Sequence, residues 1–365
     1  MGAVPLLLLV LLAAEATLDN VAAALDGSGP PLLPTTDPRV LAVLRPQEPL
    51  ESSDVAVVVP TSGSTGEPKG VLLTAAALRA SATATASVIG EGQWLLALPT
   101  AHVAGLQVLV RSLLAGTSPE VLAGPTTVPA FERATSRLTG PRRLVSLVPT
   151  QLARLLESSA LQEYDAVLLG GAAAPAELLD RARDAGVRVV TTYGMSETCG
   201  GCVYDGVPLP GVTVRAAGRI RISGPVVARG YRLRPDLTAD AFDGDTFTTS
   251  DVGELVGGRL VVLGRTDDVV VTGGEKVAPA AVEAALASHP SVAQVAVVGV
   301  PDAEWGARVV AVAVLCGPLS LEEARAHVAT RLSRVAAPRE LRVVDALPLL
   351  PSGKIDRVTL ANADP

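Results

Sequence analysis

The 365-residue sequence is poor in aromatic residues, with 2 Trp, 4 Tyr and 3 Phe, and it has only 3 Cys and 3 His. Three cysteines can form at most one disulfide bond among themselves, which excludes a disulfide framework for a chain of this length. This favours a reducing, cytoplasmic location. The net charge of −7 leaves no basic excess, so we expect no nucleic-acid partner. With so few aromatic side chains, the core must be built mainly from Ala, Val and Leu.

Long hydrophobic runs are also missing. No stretch approaches the roughly 18 uncharged apolar residues of a membrane span, so we predict no integral membrane segment. The most apolar segment, residues 6–14 (LLLLVLLAA), has no basic residue before it and is too short to cross a bilayer. We predict a buried N-terminal strand or helix there, with a signal peptide as the alternative.

The composition is otherwise that of a folded protein, with 48% hydrophobic and 18% charged residues. Up to residue 191, short β-branched segments alternate with longer helical patterns, which predicts a mostly parallel sheet covered by helices. The predicted strands are residues 55–59, 94–98, 144–148, 166–169 and 187–191. The predicted helices are residues 74–88, 103–114, 151–157 and 176–184.

The pattern changes after residue 203. Short, Gly-punctuated segments predict a small antiparallel sheet or barrel, with strands at residues 212–214, 219–223, 247–249, 254–256 and 260–263. A separate α+β unit follows, with strands at 269–271, 295–300, 309–315 and 341–344 and helices at 279–287 and 321–332. We therefore predict an α/β fold with two domains, residues 1–264 and residues 265–365.

Residues 61–70 (TSGSTGEPKG) follow a predicted strand and precede a predicted helix. Glycines let backbone N–H groups face an anion, hydroxyl groups add donors, and Lys69 adds a positive charge. The segment is not a Walker A loop, which has Gly before its Lys and Ser or Thr after it, whereas Pro68 and Gly70 flank Lys69. We interpret it as a phosphate-binding loop and not as a flexible surface loop.

This segment resembles the phosphate loop of the adenylate-forming superfamily, which includes acyl-CoA synthetases, luciferases and the adenylation domains of peptide synthetases. Segments similar to the family's other motifs follow in order: residues 99–105 (PTAHVAG), 170–175 (GGAAAP), 192–198 (TYGMSET), 249–253 (TSDVG), 264–268 (GRTDD) and 351–357 (PSGKIDR). Within the family, residues 146–152 (SLVPTQL), 168–173 (LLGGAA) and 193–199 (YGMSETC) most resemble the o-succinylbenzoate–CoA ligases of menaquinone biosynthesis. The resemblance implies the two-domain adenylate-forming fold, here in a short form with a reduced N-terminal subdomain.

The resemblance also implies a reaction and its site. ATP and a carboxylic acid would form an acyl-adenylate, and CoA would then displace AMP. The implied catalytic residues are Lys69, Glu197 and Lys354, and Glu197 would also hold Mg²⁺, which binds through one or two carboxylates and phosphate oxygens. The implied nucleotide-binding residues are Thr61, Ser62, Gly63, Ser64, Thr65, Gly66, Gly171, Ala172, Tyr193, Gly194, Ser196, Asp251 and Arg265.

The remaining implied roles concern CoA, the acid and the movement between domains. Gly273 and Gly274 would line the channel for the pantetheine arm of CoA, where slim backbone lets a thiol approach. Asp267 would be the hinge. The acid would contact His102, Ser146, Met195 and Cys199. Cys199 and Cys202 form a C-x₂-C pair, but structural zinc needs four ligands, and we do not favour a metal there.

Several alternatives stay open. The acid could be another aryl or short acyl acid, and the acceptor could be a carrier-protein thiol instead of CoA. A non-catalytic nucleotide-binding protein is a third alternative, disfavoured because Lys69, Glu197, Asp251 and Lys354 are all present. The expected partners are therefore a small carboxylic acid, ATP and CoA, with a homodimer possible.

Overall fold

The computed structural model describes residues 10–62, 68–266, 268–349 and 355–363. In chain order the strands are β1 (Leu12–Ala13), β2 (Leu32–Leu33), β3 (Val55–Ser62), β4 (Pro68–Thr74), β5 (Gln93–Leu96), β6 (Glu120–Val121), β7 (Arg143–Leu147), β8 (Ala166–Leu169), β9 (Val189–Met195), β10 (Gly200–Tyr204), β11 (Val207–Pro208), β12 (Thr213–Ser223), β13 (Gly230–Tyr231), β14 (Phe242–Asp243), β15 (Thr246–Val256), β16 (Arg259–Arg265), β17 (Val270–Thr272), β18 (Glu275–Val277), β19 (Val292–Asp302), β20 (Gly306–Leu315) and β21 (Glu340–Val343). The helices are α1 (Leu18–Asp26), α2 (Pro38–Leu44), α3 (Ala75–Ile89), α4 (Val103–Leu114), α5 (Val128–Thr135), α6 (Pro149–Leu155), α7 (Ala176–Asp184), α8 (Pro235–Ala241), α9 (Pro279–Ala287), α10 (Leu321–Arg331) and α11 (Arg357–Asn362). Within the described ranges, every helix is too short or too polar to span a bilayer.

The first sheet is built around the hairpin of β3 and β4. It has five strands in the order β1-β2-β3-β4-β13, and β3 and β4 are antiparallel along their length. No strand is predicted between the phosphate loop and the helix at residues 74–88, yet β4 lies there, and the predicted helix follows it as α3. Residues 71–73 (VLL) are all buried, which suits a strand covered on both faces. The described ends of the loop, residues 61–62 and 68–70, therefore belong to two paired antiparallel strands.

Part of the apolar N-terminal run belongs to the same sheet. Residues 6–9 lie outside the described residues, whereas β1 pairs in parallel with β2. Leu11 is buried and Leu12 is exposed. A strand is therefore confirmed for residues 12–13, but its predicted burial is not, because Leu12 is exposed and Ala13 is half-buried.

The second sheet has seven strands in the order β11-β10-β9-β8-β7-β5-β6. Strands β5 to β9 pair in parallel, and β10 and β11 complete one edge in antiparallel fashion. The predicted parallel sheet is confirmed, and helices α4 and α7 have the predicted bounds. Helix α3 begins where expected because the Thr74 hydroxyl accepts from the Ala77 N–H at 3.0 Å.

The small antiparallel sheet has the order β12-β15-β14, with β16 also paired to β15. The sequence predicts four short strands where the structure has two long ones, β12 and β15. Glycines within a strand pattern are expected to mark its breaks, but Gly253 marks a close approach: a Cβ there would lie 2.7 Å from the Val261 carbonyl oxygen. The predicted small β-sheet is confirmed, with longer strands.

The chain forms two compact units. One comprises Met1–Arg215, Arg221–Thr249 and Gly257–Leu260, and the other comprises Ala216–Ile220, Ser250–Val256 and Val261–Pro365. The first unit has cores made chiefly of Val, Leu and Ala, as the shortage of aromatic residues predicts. In the second unit, α9 and α10 pack on a five-stranded sheet of order β18-β17-β20-β19, with β21 paired to β20.

Candidate active site

The carboxyl ends of parallel strands β7, β8 and β9 lie side by side and carry predicted site residues. Gly170 continues from β8 and donates its N–H to the Leu147 carbonyl of β7 at 3.1 Å. The Thr192 hydroxyl of β9 donates to the Leu169 carbonyl of β8 at 3.2 Å. The crevice outside the carboxyl ends of such strands is the usual ligand site in α/β sheets. This edge brings the 170–172 segment and the end of β9 together.

Close packing explains two glycines at this edge. A Cβ on Gly170 would lie 2.3 Å from the Thr192 hydroxyl, and one on Gly194 would lie 2.1 Å from the Gly200 carbonyl oxygen. Gly171 has φ +81°, a left-handed conformation that favours glycine. Ala172 beside it is exposed. Tyr193 and Met195 are half-buried on β9.

A rigid turn carries Glu197. Residues Ser196–Thr198 form one 3₁₀ turn, in which the buried Thr198 hydroxyl accepts from the Met195 N–H at 3.0 Å and donates to the Gly200 carbonyl at 2.9 Å. The next residue, Cys199, has φ +53°. Hydrogen bonds on both sides of Glu197 therefore fix the direction in which its carboxylate leaves the backbone.

Cys199 is part of the scaffold of this turn. Its carbonyl accepts from the Ser81 hydroxyl at 3.0 Å and from the Gln107 side-chain amide at 2.9 Å. The thiol is 0% exposed within the core, and burial raises the pKa of Cys199 far above its usual value. Burial likewise raises the pKa of Cys202 to about 12. In the described ranges, His, Cys, Asp and Glu side chains form no group of three or more suited to a metal ion.

Tyr231 joins the two predicted catalytic residues of the first unit. Its hydroxyl donates to Glu197 Oε1 at 2.8 Å, and Lys69 Nζ lies 5.4 Å from the centroid of its ring. Tyr231 is 6% exposed, while Glu197 and Lys69 are half-buried. Burial and then the Glu197 carboxylate raise the pKa of Tyr231, so its hydroxyl keeps its proton and donates.

Lys69 sits near the start of β4, opposite Thr61 on β3. The Thr61 hydroxyl donates to the Lys69 carbonyl at 3.4 Å. Gly63, Ser64, Thr65 and Gly66 lie outside the described residues, as does the side chain of Ser62. The described part of the loop therefore consists of its two ends.

The predicted acid-contacting residues lie at the same sheet. His102 precedes α4, and its N–H donates to the Pro99 carbonyl at 3.1 Å. Gly105 lets the helix approach that segment, because a Cβ there would lie 2.3 Å from the Pro99 carbonyl oxygen. Ser146, on β7, is buried at 6% exposure.

The second unit contains the remaining described site residues. Asp251, on β15, accepts from Arg265 Nη1 at 2.9 Å, and its side chain is 10% exposed against 47% for Arg265. Gly273 and Gly274 join β17 to β18 with φ +57° and +82°. A two-residue hairpin turn with both φ positive favours Gly-Gly. Asp267 and Lys354 lie outside the described residues.

The residues predicted from the sequence do not include Tyr231, Thr198 or Gln107. Each acts through contacts distant in sequence or through backbone geometry, and Tyr231 lies 34 residues from Glu197. The available signal was compositional: Tyr231 is one of four tyrosines, and two of the three phenylalanines, Phe242 and Phe247, lie nearby in the chain.

Family models match both parts of the chain. The model described as "AMP-binding enzyme" matches residues 9–232, and the one described as "AMP-binding enzyme C-terminal domain" matches residues 281–354. The chain belongs to the AMP-binding enzyme family. The adenylate-forming fold predicted from the sequence motifs is thereby confirmed.

Relatives of this family member have named activities. The chain is 51% identical to a probable 2-succinylbenzoate–CoA ligase of Mycobacterium tuberculosis, over 92% of each chain. The o-succinylbenzoate coenzyme A synthetase of Bacillus subtilis, solved with ATP and magnesium ion, has a TM-score of 0.72 at 32% identity, covering 85% of this chain and 70% of that one. The same Bacillus enzyme in complex with its acyl-adenylate intermediate gives a TM-score of 0.76 at 29% identity, covering 98% and 84%.

Proposed function

We propose that this protein is an AMP-forming ligase that joins o-succinylbenzoate to CoA through an acyl-adenylate, in menaquinone biosynthesis. The observation that carries the choice of acid is the 51% identity to the mycobacterial ligase along nearly the whole chain. The adenylation chemistry is also supported by the geometry of the first unit. There, the Tyr231 hydroxyl donates to the Glu197 carboxylate, and the Lys69 ammonium lies over the Tyr231 ring.

In the adenylation half-reaction, a carboxylate oxygen of the acid attacks the α-phosphorus of ATP and pyrophosphate leaves. The reaction needs charge neutralisation and alignment more than covalent help from the protein. We propose that Lys69 and the hydroxyl groups of Ser62 and Thr65 donate to the β- and γ-phosphates. Tyr193 stacks on the adenine, beside the backbone of Gly171, Ala172, Gly194 and Ser196.

Glu197 fits a magnesium site of the kind that nucleotides complete. Its carboxylate oxygens are hard donors, and one carboxylate with phosphate oxygens is a common protein contribution to Mg²⁺ binding. One oxygen, Oε1, accepts from Tyr231, so the orientation of the carboxylate is fixed. When bound, the magnesium ion neutralises charge on the triphosphate. The donor set present thus agrees with the proposed role of Glu197.

Ribose recognition is assigned to the second unit. Asp251 is largely buried and paired with Arg265, which holds its carboxylate in one orientation. A carboxylate can accept hydrogen bonds from two hydroxyl groups at once. We propose that Asp251 accepts from the ribose hydroxyls with Arg265 beside it.

In the second half-reaction, the CoA thiol attacks the acyl carbonyl carbon and AMP leaves. We propose that residues 1–264 and 265–365 act as domains that reorient about Asp267 between the two steps. Lys354 then serves adenylation alone, and the hairpin of Gly273 and Gly274 serves thioester formation. One site can run two chemistries when a moving domain exchanges the loop that covers it.

For the acid pocket we propose His102, Ser146, Met195 and Cys199. Ser146 is a buried hydroxyl group near the carboxyl end of β7 and can donate to the second carboxylate of o-succinylbenzoate. Cys199 contributes through its position at the Glu197 turn, since its thiol lies within the core.

Assembly and location complete the proposal. We propose a cytoplasmic enzyme, because cysteine usage fits a reducing compartment and both ATP and CoA are required.

A homodimer is also proposed. Light scattering of the purified protein over a concentration series tests it, and a constant monomer mass would contradict it.

The test of function is acid-dependent ATP–pyrophosphate exchange. The panel contains o-succinylbenzoate, benzoate, malonate and medium-chain acids. We expect exchange to be strongest with o-succinylbenzoate, since a buried polar site rejects analogues that leave its groups unpaired by up to about 10⁴–10⁵. Equal turnover of a monocarboxylic acid would overturn the choice of acid but not the ligase chemistry.

The acceptor is tested separately. With o-succinylbenzoate and ATP present, added free CoA should yield a thioester detectable by mass spectrometry. Exchange without thioester on free CoA would favour the carrier-protein alternative.

A further inference from the structure

Tyr231 occupies a position between two elements that carry proposed catalytic groups. The backbone around it is bonded to both: the Ala228 N–H donates to the Glu197 carbonyl at 2.9 Å, and the Arg232 N–H donates to the Gly70 carbonyl at 2.7 Å. Between these bonds, Tyr231 pairs with Val71 of β4. The 228–232 segment therefore ties the Glu197 turn to the strand that carries Lys69.

The side chain of Tyr231 is immobilised as well. Its ring meets Phe242 edge-on at a centroid distance of 5.4 Å, and Phe242 in turn contacts Phe247 at 4.9 Å. The Tyr231 N–H donates to the Thr238 hydroxyl at 2.9 Å. In a chain with only three phenylalanines, two contribute to the wall behind this ring.

The polar end of Tyr231 can play one electrostatic role. Its hydroxyl donates to Oε1 and leaves Oε2 and the remaining lone pairs for a cation. The face of its ring is electron-rich and attracts the ammonium of Lys69. The Tyr231 side chain thus contacts both the Glu197 carboxylate and the Lys69 ammonium.

We propose that Tyr231 is a positioning residue that orients the Glu197 carboxylate toward the nucleotide-bound divalent cation and keeps Lys69 alongside it. The inference rests on the proposed magnesium role of Glu197. It goes beyond it by assigning the orientation of that ligand to the Tyr231 hydroxyl. Groups that hydrogen-bond a metal ligand from behind typically set metal affinity by about 10–100-fold.

The test measures metal binding directly. Mn²⁺, which takes the same oxygen ligands as Mg²⁺, is titrated into enzyme held in excess over ATP, and bound Mn²⁺ is followed by electron paramagnetic resonance. We expect Tyr231→Phe to raise the dissociation constant of Mn²⁺ by about 10–100-fold. In pyrophosphate exchange, the Mg²⁺ concentration giving half-maximal rate should rise in parallel, while the KM for the acid stays unchanged.

The matched control is Tyr164→Phe. Tyr164 is another buried tyrosine, whose hydroxyl is 2.7 Å from the Thr135 hydroxyl in the other core of the first unit. The Tyr164→Phe variant also loses the hydrogen bond of a buried tyrosine hydroxyl, but this hydroxyl does not contact Glu197. Its Mn²⁺ affinity should therefore equal that of the unmodified enzyme. Glu197→Gln should weaken Mn²⁺ binding at least as much as Tyr231→Phe.

The inference is overturned if a folded Tyr231→Phe enzyme matches the Mn²⁺ affinity of the Tyr164→Phe control, or if its affinity falls by less than about 10-fold. It is also overturned if the KM of Tyr231→Phe for the acid rises in parallel. Normal Mn²⁺ binding by Glu197→Gln would overturn it as well. If Tyr231→Phe does not fold, Phe242→Leu loosens the ring wall and retains the hydroxyl. Normal Mn²⁺ affinity in that variant would also overturn the inference, and weakened affinity would support it. Absence of exchange with every acid, despite metal binding that responds to Tyr231→Phe, would refute the ligase proposal alone.

Discussion

At the residue scale, the guanidinium of Arg232 holds an otherwise irregular segment against β4. Its side chain is 0% exposed, and Nη1 donates to the Glu51 carboxylate at 3.0 Å. It also donates to four backbone carbonyls, those of Leu44, Arg45, Glu48 and Pro49. A guanidinium offers five N–H donors in a fixed fork, so one side chain satisfies all of these acceptors.

We therefore expect Arg232→Met to lower the free energy of unfolding of the first unit by about 3–5 kcal/mol. The substitution leaves four backbone carbonyls without their donor and the Glu51 carboxylate without its cationic partner. Urea unfolding measures this, followed by Trp94 fluorescence in a Trp305→Phe background. The control is Arg229→Ala, whose exposed pair with Asp54 is worth at most about 1 kcal/mol. An Arg232→Met cost no larger than that of Arg229→Ala would contradict the expectation.

Burial also predicts which cysteine reacts. Cys199 and Cys202 are buried and Cys316 is exposed, and burial holds the pKa of Cys202 near 12, so its thiolate is scarce at neutral pH. Iodoacetamide should modify Cys316 in the native protein, and the other two only after unfolding in urea. Peptide mass spectrometry reads the sites directly. Rapid native labelling of Cys199 would show that its thiol is accessible and not part of the core.

At the element scale, the hairpin of Gly273 and Gly274 rests on an aromatic ring. The Gly273 N–H donates to the Trp305 carbonyl at 3.0 Å, and a Cβ on Gly273 would lie 2.8 Å from the Trp305 ring. On the same ring, the Arg339 guanidinium lies 3.5 Å from the centroid. A Cβ on Gly274 would meet no atom within 4 Å.

The two glycines form a matched pair for testing this hairpin. Gly274→Ala should destabilise the second unit by about 1–2 kcal/mol, the cost of a left-handed conformation with a Cβ. Gly273→Ala should cost about 1–3 kcal/mol more, because its methyl group also strikes the Trp305 ring. Chemical denaturation followed by Trp305 fluorescence in a Trp94→Phe background compares them. Equal costs would show that the ring yields freely.

Local patterns predicted the elements whose signals are local. Helices α4, α7 and α9 have the predicted bounds because their apolar periodicity and termini lie within the segment itself. Strand β4 was missed, since its burial on both faces comes from elements packed on the sheet, among them α2 and α3. The predicted division of β15 at Gly253 was wrong, because this glycine allows close approach to Val261 of the paired strand β16 and does not end a strand.

The candidate site divides in the same way. Lys69, Glu197 and Asp251 could be predicted because each lies in a contiguous motif, and their roles stay predictions. Tyr231 was missed because its role depends on contacts with two segments that only the fold brings together. Sequence motifs therefore predict the groups proposed to touch the nucleotide, and the fold is needed to identify those proposed to orient them.

At the scale of the whole molecule, the proposed reorientation separates two half-reactions. Proline at position 267 would restrict φ to about −65° and hinder movement at the predicted hinge. We expect Asp267→Pro to slow thioester formation while largely sparing pyrophosphate exchange. Equal loss of both would point to misfolding or to a direct catalytic role for Asp267.

The opposite pattern is expected for Lys354. Its motif, residues 351–357, lies far beyond the predicted hinge, so we propose that its ammonium reaches the active site in one domain orientation only. There it bridges the attacking carboxylate and the α-phosphate and stabilises the charge that develops between them. Removing one such preorganised group typically lowers the rate by about 10²–10³.

Lys354→Ala should therefore lose pyrophosphate exchange by at least about 10²-fold. Given synthetic acyl-adenylate and CoA, the same variant should form thioester at a near-normal rate, because that step uses the other orientation. Rapid-quench assays of each half-reaction, run beside Asp267→Pro, separate the two roles. Near-normal exchange would remove Lys354 from the mechanism. Loss of both half-reactions in a folded Lys354→Ala enzyme would refute domain alternation, since a residue withdrawn from the site cannot be needed there.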